Sequence, residues 1–208
     1  VPVFKVVNST DNGGMAKNVQ CNLDSLENTV DILTNENWQE ITKTRYVHAD
    51  SNHIFLRVDD NDDKYGVMSP EIFNEIDLTI YDAIVVSDYN KGFLTEEMLS
   101  VISLLHDLVF IDTKKVLGDW VKNFNFIKIN SKEYDLTKHT LSDIIKSKLI
   151  VTRGPLGCTY QNNTSGAGDT FISGLCSEFC KTGDIHKSIE FANRCATVVV
   201  QKKGVSIV

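Results

Sequence analysis

Four short apolar runs in the second half of the chain constrain its fold more than any other feature. Ala83-Ile-Val-Val86 leads into Ser87-Asp88, Leu108-Val-Phe-Ile111 into Asp112, Phe126-Ile-Lys-Ile129 into Asn130, and Leu149-Ile-Val151 into Thr152-Arg153-Gly154. Continuous β-branched runs of this length suit strands buried on both faces, and helical patterns separate them. Strand and helix in alternation predict an α/β fold with a parallel sheet. In such sheets ligands bind outside the carboxyl ends of the strands, so Asp88, Asp112, Asn130 and Thr152 are expected along one rim. A single polar residue after a strand is explained by the turn alone; four in succession point to a binding edge. Thr95 before Glu96 and Glu97 marks a helix start with acids in its first turn. Gly183-Asp184 ends one helix and opens another, whose apolar face is Ile185, Ile189, Ala192, Cys195, Ala196 and Val199, with Asn193 as a polar exception.

The first eighty residues have a different pattern. Thr42-Lys-Thr-Arg-Tyr-Val and His53-Ile-Phe-Leu-Arg-Val58 alternate apolar with polar residues, as antiparallel strands with one wet face do. These lid strands, at about 40–60, are expected to cover the rim, and their apolar face suits pairing with a second copy of the chain. The acids Asp59, Asp60, Asp62 and Asp63 lack EF-hand spacing, which leaves a solvated turn. With 208 residues and 42% hydrophobic composition, the chain is expected to form a single domain, 1–208. A net charge of −7 argues against a nucleic-acid surface. No apolar run is long enough to cross a membrane and no targeting segment opens the sequence, so a cytoplasmic protein is expected. The five cysteines form no CxxC pair and read as buried, reduced thiols, and the five histidines as structural or surface residues.

The string Asn163-Thr-Ser-Gly-Ala-Gly-Asp-Thr-Phe-Ile-Ser-Gly174 bears most directly on chemistry. Gly166, Ala167 and Gly168 stand just before Asp169 and an apolar helical pattern of Phe171, Ile172, Leu175, Cys176 and Phe179. Small residues at a helix start leave backbone N–H groups free for phosphate oxygens, and a carboxylate beside them suits a base acting on an attacking hydroxyl. A tight turn with an N-terminal acid is the other reading of Gly-Ala-Gly-Asp.

The complete string resembles the second signature of the ribokinase-like (PfkB) carbohydrate kinases, and the resemblance extends over nearly the whole chain. Gly13-Gly-Met-Ala-Lys-Asn18, Thr42-Lys-Thr-Arg45, Leu56-Arg-Val-Asp59, Ser87-Asp-Tyr-Asn-Lys-Gly92, Ile111-Asp-Thr-Lys114, Asn130-Ser-Lys-Glu133, Thr152-Arg-Gly-Pro-Leu-Gly157 and Gly204-Val205 follow in family order. The Thr-Lys-Thr-Arg and Ser-Asp-Tyr-x-Lys-Gly strings are most similar to the heptose-phosphate kinase branch. The resemblance implies a three-layer α/β/α fold with a mostly parallel central sheet and a small antiparallel lid. It implies Asp169 as catalytic base and Gly166, Ala167 and Gly168 as the anion hole. By the same resemblance Asn130, Glu133, Thr152, Gly154, Gly157 and Asn193 line the ATP site, with Glu133 organising Mg2+ through water. Gly13, Gly14, Asn18 and Lys91 would contact a sugar or sugar phosphate. Lys114 reads equally as a phosphate partner or as an exposed lysine at a helix start.

The chain is shortened relative to that family. Within Val1–Val208 the first strand with its sugar-binding Asp has no counterpart, a whole strand–helix segment between Leu26 and Lys43 is absent, and the linker before the anion hole is reduced, to about 161–163. An ATP-dependent sugar kinase acting on heptose 7-phosphate at C1 is the leading expectation. A ribokinase-type kinase for another sugar, and a nucleotide-binding remnant serving as an assembly partner, are the alternatives. The expected partners are the sugar, ATP and a second copy through the lid strands, with no nucleic acid and no membrane.

Overall fold

The computed structural model describes residues 3–51, 53–61, 66–161, 163–165 and 170–200. It opens with helix α1 (Gly14–Ser25) and a hairpin of β1 (Thr42–Val47) and β2 (Ile54–Asp60). Then follow β3 (Ile84–Asp88), α2 (Glu96–Ile102), β4 (Val109–Thr113), β5 (Phe126–Asn130), α3 (Ser131–Thr137) and α4 (Asp143–Lys148). The chain continues through β6 (Leu149–Thr152), β7 (Cys158–Tyr160), β8 (Asn163–Ser165), α5 (Thr170–Thr182) and α6 (Ile185–Val200). Each of the four apolar runs is a strand. They lie side by side in the order β3-β4-β5-β6, all parallel, and β7 and β8 extend the sheet antiparallel.

Side chains alternate across this sheet into two cores. Val86, Val109, Ile111, Ile127, Ile129, Leu149 and Val151 face one side, where they meet Met98, Leu99 and Ile102 of α2 and Ile145 of α4. Phe110 and Ile150 face the other, with Phe171, Ile172 and Leu175 of α5 and Ile189 and Ala192 of α6. Helix α1 joins this second layer: Ser173 Oγ donates to Val19 O at 3.3 Å and Asn28 Nδ2 to Ser177 Oγ at 3.0 Å. The result is the expected three-layer α/β/α arrangement. Local chemistry fixes the helix starts as read. The Thr95 hydroxyl accepts from Met98 N, and Asp184 accepts from the backbone of His186 and Lys187 at 3.0 and 3.2 Å.

Helices α5 and α6 cross closely because Gly174 has no side chain. A Cβ built there would lie 3.0 Å from Ala192 Cα and 3.3 Å from Cys195 Sγ. At the other end of α5, Phe179 packs edge-on against Phe126 and Phe110, with centroids 4.9 and 6.0 Å away.

Two expectations change. The lid hairpin forms with the predicted strands, but neither face is buried: Tyr46, Ile54, Leu56 and Val58 are between 42% and 54% exposed. Alternation in a sequence records two chemically distinct faces, not what covers them, and among the described residues no strand pairing joins the hairpin to the large sheet. The cysteines are not uniformly buried either. Cys158, Cys176 and Cys195 are, Cys21 is half-buried and Cys180 is exposed, since it sits in the last turns of α5 where that helix leaves the core. No disulfide joins them.

Candidate active site

The rim expected from the strand ends is present, but its residues do not meet at one point. Asp88 pairs in register with Thr113, and Asn130 with Thr152. Asp88 and Asp112 fall on opposite faces of the sheet because strand positions alternate. Each acid is engaged by a lysine. Asp88 accepts from Thr113 Oγ1 at 2.7 Å and from Asn90 N at 2.9 Å, and Lys115 Nζ stands 3.7 Å away while donating to Asn90 Oδ1 at 2.7 Å. Asp112 receives Lys128 Nζ at 2.6 Å, with both side chains almost fully buried. The third acid, Glu133, lies 3.2 Å from Lys114 Nζ.

Asn130 and Glu133 form a reciprocal cap at the start of α3. The Asn130 side chain accepts from the backbone of Lys132 and Glu133, Glu133 accepts from Asn130 N, and Asn130 Nδ2 donates to Glu133 Oε1 at 2.6 Å. The neighbouring strand end is tied in as well. Ser131 Oγ donates to Thr152 O, and Thr152 Oγ1 donates to Ile129 O at 3.2 Å. Gly154 and Gly157 flank the tight turn between β6 and β7 with φ of 57° and 91°, where a side chain would be strained. Asn130, Glu133, Thr152 and the two glycines are thus contiguous. Asn193 lies apart in sequence on α6, buried, its carbonyl accepting from Thr197 Oγ1 at 2.8 Å.

Gly13 is the N-cap of α1 and Gly14, with φ of 71°, its first residue; Asn18 sits one turn on, where Asn22 Nδ2 donates to its carbonyl at 2.7 Å. Lys91 is exposed in the loop after β3. Contacts between α1 and α5 run Val19 to Ser173, then Leu26 to Lys181, so the two helices point the same way and their N-termini share an end. That end is the rim. Phe179 lies over the first residues of β4 and β5, and Thr170, about 13 Å back along the helix, therefore lies toward their carboxyl ends. Gly166, Ala167, Gly168 and Asp169, which lead into Thr170, lie outside the described residues, as does Gly204-Val205.

The lysines that neutralise the rim acids were the part sequence reasoning missed. Lys115 and Lys128 carry no motif, yet a charge inside an apolar strand (Phe126-Ile-Lys-Ile129) was a usable signal, because a buried lysine requires a buried partner. Tyr89 was missed too; Lys114 Nζ sits 5.3 Å from the centroid of its ring.

Comparison with known proteins agrees with this architecture. The profile of the pfkB family carbohydrate kinases matches residues 159–208, from β7 through the Gly166–Asp169 string to the last residue. The chain resembles the PfkB carbohydrate kinases. The bifunctional protein HldE of Psychromonas ingrahamii is 24% identical over 90% of this chain and 46% of its own length. That of Haemophilus influenzae is 25% identical over 100% of this chain and 56% of its own. The chain therefore spans about half the length of these curated relatives. Among solved structures, Arabidopsis thaliana ribokinase complexed with ribose and ATP aligns at 15% identity with a TM-score of 0.51, over 74% of this chain and 60% of that one. The fold is ribokinase-like. Among the described residues no helix is long and apolar enough to cross a membrane.

Proposed function

We propose that this chain is an ATP-dependent sugar kinase that works at the carboxyl rim of its sheet. One observation carries the reading: α5, which begins directly after the Gly-Ala-Gly-Asp string, directs its N-terminal end to the rim that holds Asn130, Glu133 and Thr152. A phosphate donor bound beside those residues has its terminal phosphate near the positive end of α5. Asp169 then takes the proton from the sugar hydroxyl, and the freed oxygen attacks the γ-phosphate of ATP, forming the new P–O bond as the bond to the β–γ bridging oxygen breaks and ADP leaves. The backbone N–H groups of Gly166, Ala167 and Gly168 receive the charge that builds on the transferred group. Gly154 and Gly157 admit the nucleotide close to the backbone, and Asn193 borders the adenine. Gly13, Gly14, Asn18 and Lys91 hold the sugar.

The residues fit magnesium held mainly through water. One nearly buried carboxylate, Glu133, faces the site, and among the described residues no cluster of three His, Cys, Asp or Glu side chains is suited to a metal. Magnesium retains waters and needs few protein carboxylates when phosphate oxygens complete its shell. Bound there, it supplies neutralising charge to those oxygens.

Heptose 7-phosphate, attacked through its C1 hydroxyl, is the proposed acceptor. The hairpin supports a phosphorylated sugar: Lys43, Arg45 and Arg57 share one face with a single acid at these positions, Asp59, which pairs with Lys43 at 3.5 Å and Arg57 at 2.8 Å, so the face keeps an excess of positive charge. The same exposed hairpin supports a homodimer through the lid strands, which sedimentation at micromolar concentration tests. The deciding experiment is ATP consumption with magnesium against heptose 7-phosphates, ribose, fructose phosphates and adenosine. Consumption with a heptose 7-phosphate, abolished in Asp169→Asn while ATP still binds, supports the proposal. Turnover only with ribose or adenosine replaces the acceptor, and ATP binding with no acceptor turning over replaces the kinase reading with a nucleotide-binding one.

A further inference from the structure

Lys114 and Lys115 are adjacent in sequence but are held very differently. Lys115 is buried, its ammonium fixed between Asn90 and Asp88 and its backbone N donating to Thr113 Oγ1 at 3.1 Å. The Lys114 backbone is equally fixed, donating to Asp88 O at 3.0 Å, yet its side chain is 27% exposed and its ammonium stands 3.2 Å from Glu133 Oε1 at the start of α3. Its ammonium lies over the Tyr89 ring, a soft, non-directional contact that permits swinging. Glu133 itself cannot move without breaking the cap of α3, since both of its carboxylate oxygens are tied to Asn130. A rigid, nearly buried carboxylate therefore faces a flexible cation on an anchored backbone.

Glu133 is also the carboxylate that magnesium would use, and two cations at one carboxylate oxygen repel each other. We propose that Lys114 is an exchangeable counter-cation: it neutralises Glu133 until a divalent ion arrives, then swings onto the phosphate oxygens of the nucleotide. This inference rests on the nucleotide site described above and adds an ordered hand-over to it. A lysine suits the task, being a compact point charge on a flexible stem with three donors and no fixed fork geometry.

The exchange predicts effects of opposite sign, read by binding and not by turnover. Free Mn2+ followed by electron paramagnetic resonance reports on Glu133, and calorimetry with the non-hydrolysable analogue AMP-PNP, without metal, reports on the phosphate side. Lys114→Met keeps the stem but removes the charge; it should bind Mn2+ about threefold to fivefold more tightly and metal-free AMP-PNP more weakly by a similar factor, the range expected for a partly exposed ion pair. Lys114→Arg should return both affinities toward wild type. Glu133→Gln keeps a cap-forming side chain but releases the lysine, so metal-free AMP-PNP should bind several-fold more tightly. Changes in the same direction for both probes in Lys114→Met, or no change in either, would overturn the exchange. If Lys114→Met fails to fold, Glu133→Gln decides: unchanged or weaker metal-free binding refutes it. A wild-type protein that binds no AMP-PNP with or without metal removes the nucleotide site itself and this inference with it.

Discussion

Replacing Lys128 with methionine removes the ion-pair partner of a carboxylate that has almost no access to water. Lys128 Nζ and Asp112 Oδ2 are 2.6 Å apart, with side chains 3% and 6% exposed. At an effective dielectric constant of about 20, charges this close attract by roughly 6 kcal/mol. Taking both ions out of water costs several kcal/mol each, so the intact pair contributes little net stability. The single variant retains the desolvation cost and loses the attraction. Lys128→Met should therefore lower the unfolding free energy by about 3–5 kcal/mol. Combining it with Asp112→Asn removes the stranded charge and should recover more than half of that loss. Urea denaturation of wild type, both single variants and the double variant gives the coupling energy directly. Losses that simply add, with coupling below about 0.5 kcal/mol, would refute the account of a desolvated, mutually dependent pair.

Other perturbations test other parts of the structure. Gly174→Ala gains about 1 kcal/mol of helix propensity but drives a methyl group onto the Ala192 backbone at 3.0 Å, so a net loss of roughly 1–2 kcal/mol in chemical denaturation is expected. A variant more stable than wild type would show that α5 and α6 yield freely. Cys180 is exposed and its thiol pKa is lowered by a hydrogen bond from Cys176, whose own pKa that bond and burial raise. Under limiting iodoacetamide near neutral pH, peptide mapping should find Cys180 modified first; labelling of Cys176 ahead of it would contradict the bond's direction. The Asp184 carboxyl is held below its ordinary pKa by the backbone N–H groups of Lys187 and His186. Its contribution is present above the usual carboxylate range and lost as pH falls through the lowered value. Asp184→Ala should thus be less stable than wild type at neutral pH and converge with it in acid; a constant gap across pH would argue against the cap.

Where the physics is local, the sequence was legible. Four apolar runs ended in polar residues because buried strands must emerge at a turn, and Asp88, Asp112, Asn130 and Thr152 sit at those ends. Thr95 and Asp184 cap the helices their types suggested. What escaped notice depends on partners distant in sequence. Nothing near Lys128 announces Asp112 sixteen positions earlier, and the separation of Asp88 from Asp112 follows from strand parity in a register that the sequence does not state. The hairpin's strands were legible, but what covers them is not written in their alternation: Leu56 and Val58 are apolar by pattern and stay exposed in the single chain, because burial requires an opposing surface. For Asp169 and the three residues before it, the string itself remains the guide.

The aromatic trio of Phe110, Phe126 and Phe179 has a mechanical consequence. Helix α5 is a stiff rod with its heel wedged between two strand starts and its toe at the opposite rim. With about 13 Å between them, a tilt of only about four degrees at the heel moves the toe by roughly 1 Å. Displacements of that size can cost about a hundredfold in rate where groups must meet in line. Trimming the Phe179 ring would thus be felt at the far tip of the rod, by leverage and not by touch.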